Sequence, residues 1–130
     1  MASINLFTYG TLMFPEVMTA VIGRKVESCE MGLSGWRRFA LNGCLYPGAV
    51  RDPAKKIFGV CWRKLSPVDL EKLDRFEGAE YARVASGCVE VDVNLEVYAW
   101  LDLRLDAQED WSPELFKERH LKQYLRTIEP

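Results

Sequence analysis

Two short segments of this chain hold residue types that could do chemistry together: Tyr9-Gly10-Thr11-Leu12 and Leu73-Asp74-Arg75-Phe76-Glu77-Gly78. An apolar run climbs from the N-terminus and stops at Gly10-Thr11. A run this short and rich in strand formers reads as a buried β-strand. The glycine turn at its end leaves backbone N–H groups open to a ligand, which makes a natural anion cradle. In the second segment Glu77 closes a helix beside Phe76. Burial against aromatics and the negative end of the helix dipole would both disfavour its carboxylate and raise its pKa. A carboxyl tuned toward neutrality can take up a proton and later return it. The competing reading makes Glu77 an exposed helix-end acid. Glu71, Asp74 and Glu80 read as solvated. Tyr81 either lines a pocket or packs across strands, and Arg83 reads as half of a surface ion pair. Tyr98 either caps a cavity or covers the sheet. His120 has no convergent Ser or Cys motif and reads as a surface or packing histidine.

The elements that must position these groups follow from pattern. Pro15 opens a short helix to about Ile22, ended by Gly23. Extended structure is expected from Lys25 to Leu41, interrupted at Gly32 and Gly35. Tyr46-Pro47-Gly48 reads as a turn leading into a strand. A further strand from Ile57 to Arg63 contains Gly59, a mark of a bulge or a close backbone approach. The best-specified element starts at Ser66, an N-cap followed by Pro67 in the first turn and Asp69 at the third position. Leu65 and Leu70 are spaced as a hydrophobic staple, and Gly78 supplies the stop. Strands are expected at about Ala82–Val91 and Glu96–Leu103. A last helix runs from Ser112-Pro113 to about Thr127, with an apolar stripe of Leu121, Tyr124, Leu125 and Ile128.

These elements are expected to form one domain spanning residues 1–130. A chain of 130 residues with 48% hydrophobic content can build one packed core. Strands without intervening crossover helices disfavour a doubly wound sheet. The expected fold is α+β: a small, mixed, mostly antiparallel β-barrel with two or three peripheral helices. A net charge of −2 argues against nucleic acid as a partner, since phosphate binding needs clustered Lys and Arg. Arg37-Arg38 and Lys55-Lys56 read as solvated loop or strand edges. No apolar stretch reaches the ~18 residues of a membrane span, and the N-terminal residues lack a basic start before an apolar core, so secretion is not expected. Cys29, Cys44, Cys61 and Cys88 form no C-x-x-C pair, so they are expected to be reduced and mostly buried, in a cytoplasmic protein. With a single histidine, no metal site is expected.

The two segments, in this order and spacing, resemble the γ-glutamylcyclotransferase-like superfamily. Phe7-Thr8-Tyr9-Gly10-Thr11-Leu12 is similar to its Tyr-Gly-Ser/Thr-Leu signature, and Leu73 to Gly78, with Tyr81 and Arg83 beyond, to its acidic motif. Tyr46-Pro47-Gly48 and Tyr98 match a Tyr-Pro element and a late tyrosine. The branch most resembled is the small, plant avirulence-induced-gene-like group, related to γ-glutamylamine cyclotransferases. The Trp111-to-Leu125 region, with Phe116 and His120-Leu121, is similar to the same branch. The resemblance implies a β-barrel with a cavity at one end. It implies attack by a substrate's α-amine on its own γ-carbonyl, giving 5-oxoproline and a released amine or amino acid. It makes Glu77 the general base and acid. Tyr9, Gly10, Thr11, Leu12, Tyr81 and Tyr98 become substrate-binding residues. No cofactor is implied; the partner is a small-molecule γ-glutamyl substrate, with the protein a monomer or homodimer. The alternative is a non-catalytic small-molecule-binding or interaction module on the same fold.

Overall fold

In the computed structural model, residues 3–86 and 95–128 are described. The apolar N-terminal run forms β1 (Ile4–Thr8), which is buried along almost its whole length. That burial has a topological cause. β1 lies at the centre of a five-stranded sheet and is covered on both faces, which explains why the run does not alternate. Its neighbours are β3 (Pro47–Leu65), antiparallel, and β5 (Leu95–Trp100), parallel. β2 (Ser28–Ala40) pairs with β3 in a long hairpin, and β4 (Tyr81–Ala85) pairs with β5, giving the order β2-β3-β1-β5-β4.

The hairpin does not stay flat. Its register shifts between Ser34 and Trp36, and beyond the shift Trp36 pairs with Arg51. The distal half curls over one face of the sheet and buries Leu33, Trp36, Ala49 and Ile57 against Phe7, Cys61, Leu95 and Val97. Trp36 and Arg51 then reach the far edge through side chains. The Trp36 indole donates to the Ser86 carbonyl at 2.9 Å, and Arg51 donates to the carbonyls of Ser86 and Ala85 at 3.1 and 2.9 Å. Side-chain bonds, rather than a backbone ladder, join these edges. The sheet is therefore mixed and curled but open, so the expected α+β fold holds and the word barrel describes it only loosely.

The other face carries the helices. α1 (Pro15–Ile22) and α2 (Pro67–Glu77) have the predicted bounds, and α2 has a full capping box between Ser66 and Asp69. Leu6, Trp62 and Tyr98 from the sheet meet Val17, Met18, Leu70 and Leu73 from these helices. The expected single C-terminal helix is two: α3 (Pro113–Arg119) and α4 (Leu121–Ile128), with His120 between them. Phe116 and Leu121 are both buried. Five residues apart, they would point about 140° from each other on one continuous helix, so the break lets both face the core. β5 ends at Trp100, short of the expected Leu103, and Leu101 is exposed. β4 starts at Tyr81; the expected continuation beyond residue 86 lies outside the described residues, as does Cys88. Cys61 is buried, but Cys29 is exposed on the edge strand and Cys44 is half-buried, so the thiols are less sheltered than expected. Among the described residues no helix is long and apolar enough to cross a membrane.

Gly59 shows why β3 can lie so close to β1. A Cβ there would sit 2.2 Å from the Thr8 carbonyl oxygen and 2.8 Å from the Phe7 ring. Gly59→Ala is expected to lower stability by about 2–3 kcal/mol, because backbone rather than a flexible side chain must move. A urea-unfolding midpoint unchanged from wild type would contradict this close approach.

Candidate active site

The end of β1 is pinned before it turns. The Trp62 indole donates to both Thr8 Oγ1 and the Leu12 carbonyl at 3.0 Å, and Thr8 Oγ1 donates to the Val60 carbonyl at 2.9 Å. Between these anchors the chain passes through Tyr9 and Gly10 into a short 3-10 turn at Thr11–Met13. A side chain at Gly10 would meet the Pro47 ring at 2.8 Å, so bare backbone forms this stretch of wall. The first N–H groups of such a turn have no partner within it.

This loop borders a cavity of about 130 Å³. Every site residue expected from the sequence lines it: Tyr9, Gly10, Thr11, Leu12, Glu77, Tyr81 and Tyr98. Five distant parts of the chain contribute. α2 delivers Phe76 and Glu77 at its C-terminus, β4 and β5 deliver Tyr81 and Tyr98, β3 starts at Pro47 on the rim, and α4 delivers Tyr124.

Glu77 is the group whose chemistry this setting changes most. Its carboxyl is pushed up to about 8, first by burial and then by the nearby charge of Asp74. No hydrogen bond ties it to any other described residue. Its position at the last turn of α2 adds the negative end of the helix dipole. Asp74, one turn earlier, is driven the opposite way. Arg83 donates to both its oxygens at 2.9 and 3.0 Å, and the Tyr98 hydroxyl donates to it at 2.6 Å. These donors, Arg83 above all, hold the Asp74 carboxyl below its ordinary range although burial opposes them. Two carboxyls on one helix end are thus set apart, one kept ionised and one tuned toward neutrality.

The tyrosines serve as walls rather than bases. Tyr9 donates its hydroxyl proton to the Tyr98 carbonyl at 2.7 Å, and Tyr81 donates to the Pro47 carbonyl at 2.6 Å. Burial raises both phenols above their ordinary values, and burial and Asp74 do the same to Tyr98. Tyr81 meets Trp100 edge-on at 4.9 Å between centroids, and Tyr98 edge-on at 6.3 Å.

Two sequence expectations need adjustment. Asp74 is 44% exposed, as a solvated acid would be, yet it organises the cavity wall through Tyr98 and Arg83. Arg83 is in an ion pair, as expected, but a shared one, with Asp74 on one side and Glu96 on the other. Tyr124 was legible only as part of an apolar stripe, and its hydroxyl lies 3.4 Å from Thr11 Oγ1. His120 packs against the Phe116 ring outside the cavity.

The sequence model of the "Gamma-glutamyl cyclotransferase, AIG2-like" family matches residues 6–113, and the chain belongs to that family. "AIG2-like protein A" of Arabidopsis thaliana is 32% identical over 129 residues, covering 95% of this chain and 78% of the relative. "AIG2-like protein B" of the same plant is 30% identical, covering 95% and 75%. Among solved structures, an Arabidopsis thaliana protein determined in solution superposes with a TM-score of 0.71 at 27% identity, covering 98% of this chain and 80% of that one. A structure titled "Gamma-glutamyl cyclotransferase" superposes with a TM-score of 0.58 at 18% identity, covering 99% and 89%, and shares the fold.

The raised Glu77 carboxyl has a stability consequence. Below about pH 4.5 it is neutral in both folded and unfolded chains, so it costs nothing. As pH rises, the unfolded chain ionises first, and the folded state loses stability until its own carboxyl ionises near 8. Glu77→Gln removes the ionisation. The variant is expected to match wild type near pH 4.5 and to exceed it by on the order of 2–4 kcal/mol above pH 8. Urea midpoints at the two pH values check this; equal midpoints at high pH would show a normal, solvated carboxyl.

Proposed function

We propose that this protein is a γ-glutamyl cyclotransferase that releases 5-oxoproline from a γ-glutamyl amine or γ-glutamyl amino acid. The observation that carries this reading is a single unpaired carboxyl, tuned to about 8, in a compact aromatic cavity beside a bare-backbone loop. Family membership supports it.

The substrate's α-amine is mostly protonated at neutral pH and must lose a proton to attack. The neutral form of that amine attacks, and Glu77 takes one of its two protons as the nitrogen bonds to the γ-carbonyl carbon. A five-membered ring closes and negative charge gathers on the former carbonyl oxygen. Glu77 then returns the proton to the departing nitrogen, the old C–N bond breaks, and 5-oxoproline leaves with the free amine. No water and no cofactor enters this balance. The reaction is an intramolecular cyclisation, so holding the substrate in a folded geometry supplies much of the acceleration. Tyr9, Tyr81 and Tyr98 shape that geometry, and the Gly10–Leu12 backbone cradles the γ-glutamyl group or its developing oxyanion.

The test is 5-oxoproline release, read by mass spectrometry, from a panel of γ-glutamyl amines and γ-glutamyl amino acids. Wild type is expected to release it, with kcat/KM rising with pH and levelling above about 8 as Glu77 ionises. Glu77→Gln should fall ~100- to 10,000-fold. Thr11→Ala should lose far less, since the loop acts through its backbone. Ligand binding without release across the panel would favour a non-catalytic binding module, and near-normal turnover by Glu77→Gln would remove it from the mechanism.

A further inference from the structure

We propose that Arg38 is a positioning residue that presents the Gly10 N–H to the oxyanion formed in the cavity. The inference rests on the cyclotransferase reading and extends it to a residue outside the cavity wall. Arg38 projects from β2, where a solvated strand-edge cation was expected, yet its side chain is only 11% exposed. Its Nη1 donates to the Tyr9 carbonyl oxygen at 3.0 Å. Its Nε and Nη2 grip both carboxylate oxygens of Asp110 at 2.8 and 3.1 Å. The guanidinium also stands 5.8 Å from the centroid of the Trp111 ring. Held on these sides, it is a fixed donor rather than a mobile surface charge.

Arg38, Asp110 and Trp111 line a groove that shares no residue with the Glu77 cavity. In a planar trans peptide the C=O and the following N–H point in opposite directions. The Tyr9 carbonyl is turned toward Arg38, so the Gly10 N–H is turned away from that groove, and Gly10 lines the cavity on its other side. No acceptor among the described residues takes this N–H. A charged donor on the carbonyl also polarises the peptide and strengthens its N–H as a donor. The cavity lining includes no Lys, Arg or His. Three of its five tyrosines already donate their hydroxyl protons elsewhere, to Tyr98 O, Pro47 O and Asp74. Arg38 thus supplies positive charge to the site indirectly, through one peptide unit, without placing a cation beside Glu77.

The experiment compares wild type, Arg38→Gln and Arg38→Lys by two readouts. One is kcat and KM for 5-oxoproline release; the other is the Gly10 amide signal during titration with 5-oxoproline itself. Arg38→Gln is expected to lose ~10- to 100-fold in kcat with KM changed less than about threefold, somewhat less than removal of an oxyanion donor outright. Arg38→Lys should fall between, because a point charge cannot serve Tyr9 and Asp110 in the same fork. The Gly10 amide should shift with 5-oxoproline in wild type and shift less in Arg38→Gln, a change that a merely structural role would not produce. Should Arg38→Gln fail to fold, Arg38→Lys carries the same comparison. Wild-type kcat in every folded variant overturns the proposal, as does an equal Gly10 response with and without Arg38. If wild type releases nothing from the panel, the cyclotransferase reading fails by itself. An Arg38-dependent Gly10 shift would then still uphold the positioning role, and its absence would overturn that too.

Discussion

Desolvation of one carboxyl is the constraint on which the site depends. Glu77 stands among seven aromatic rings, those of Phe7, Tyr9, Tyr46, Phe76, Tyr81, Tyr98 and Tyr124, in a cavity whose lining holds no cation. A guanidinium in contact with it would return the carboxyl to its ordinary range and end its usefulness near neutral pH. Arg83 pairs with Asp74 and Glu96 and does not line that cavity. Asp74, held ionised by that pair, then adds its own charge to the burial that raises Glu77. The Arg83 ion pairs therefore bear on Glu77 through the Asp74 carboxylate that they keep ionised.

The fold serves this arrangement by converging elements on the end of β1. A central strand flanked by β3 and β5 can be buried on both faces, so its terminus is rigid where it meets the cavity. Trp62 fixes the turn from within the core, and Arg38 fixes it from the groove behind. Glycine at position 10 keeps the wall thin, with Pro47 closing against it. The helix carrying Glu77 is set by a capping box at its start, at Ser66 and Asp69, and by the packing of Leu70 and Leu73 on the sheet.

Local signals were the legible ones. The caps of α2, the glycine stop after α1 and the close approach at Gly59 each depend on neighbours within a few residues or on one missing side chain. Glu77 was legible as a candidate from its helix end beside an aromatic, with an exposed acid as the competing reading, and the family resemblance singled it out. What depended on distant pairing was hidden. Arg38 looked like half of a basic pair because nothing near it announces Asp110 and Trp111, some seventy residues away. Tyr124 resembled any aromatic of an amphipathic stripe, since its proximity to Thr11 spans most of the chain. The break at His120 answers a core demand, the joint burial of Phe116 and Leu121, that helical periodicity does not encode. The open sheet likewise turns on whether Trp36 and Arg51 meet backbone carbonyls through side chains or through a ladder.

The most direct test of this account is titration of the Glu77 side-chain carboxyl itself, followed by carbon NMR in the folded protein. A midpoint near 8 is the predicted result, with the unfolded chain giving the ordinary carboxyl value. A midpoint near 4.5 would show a solvated or paired carboxylate, and would contradict the claim that the cavity exists to hold a proton shuttle.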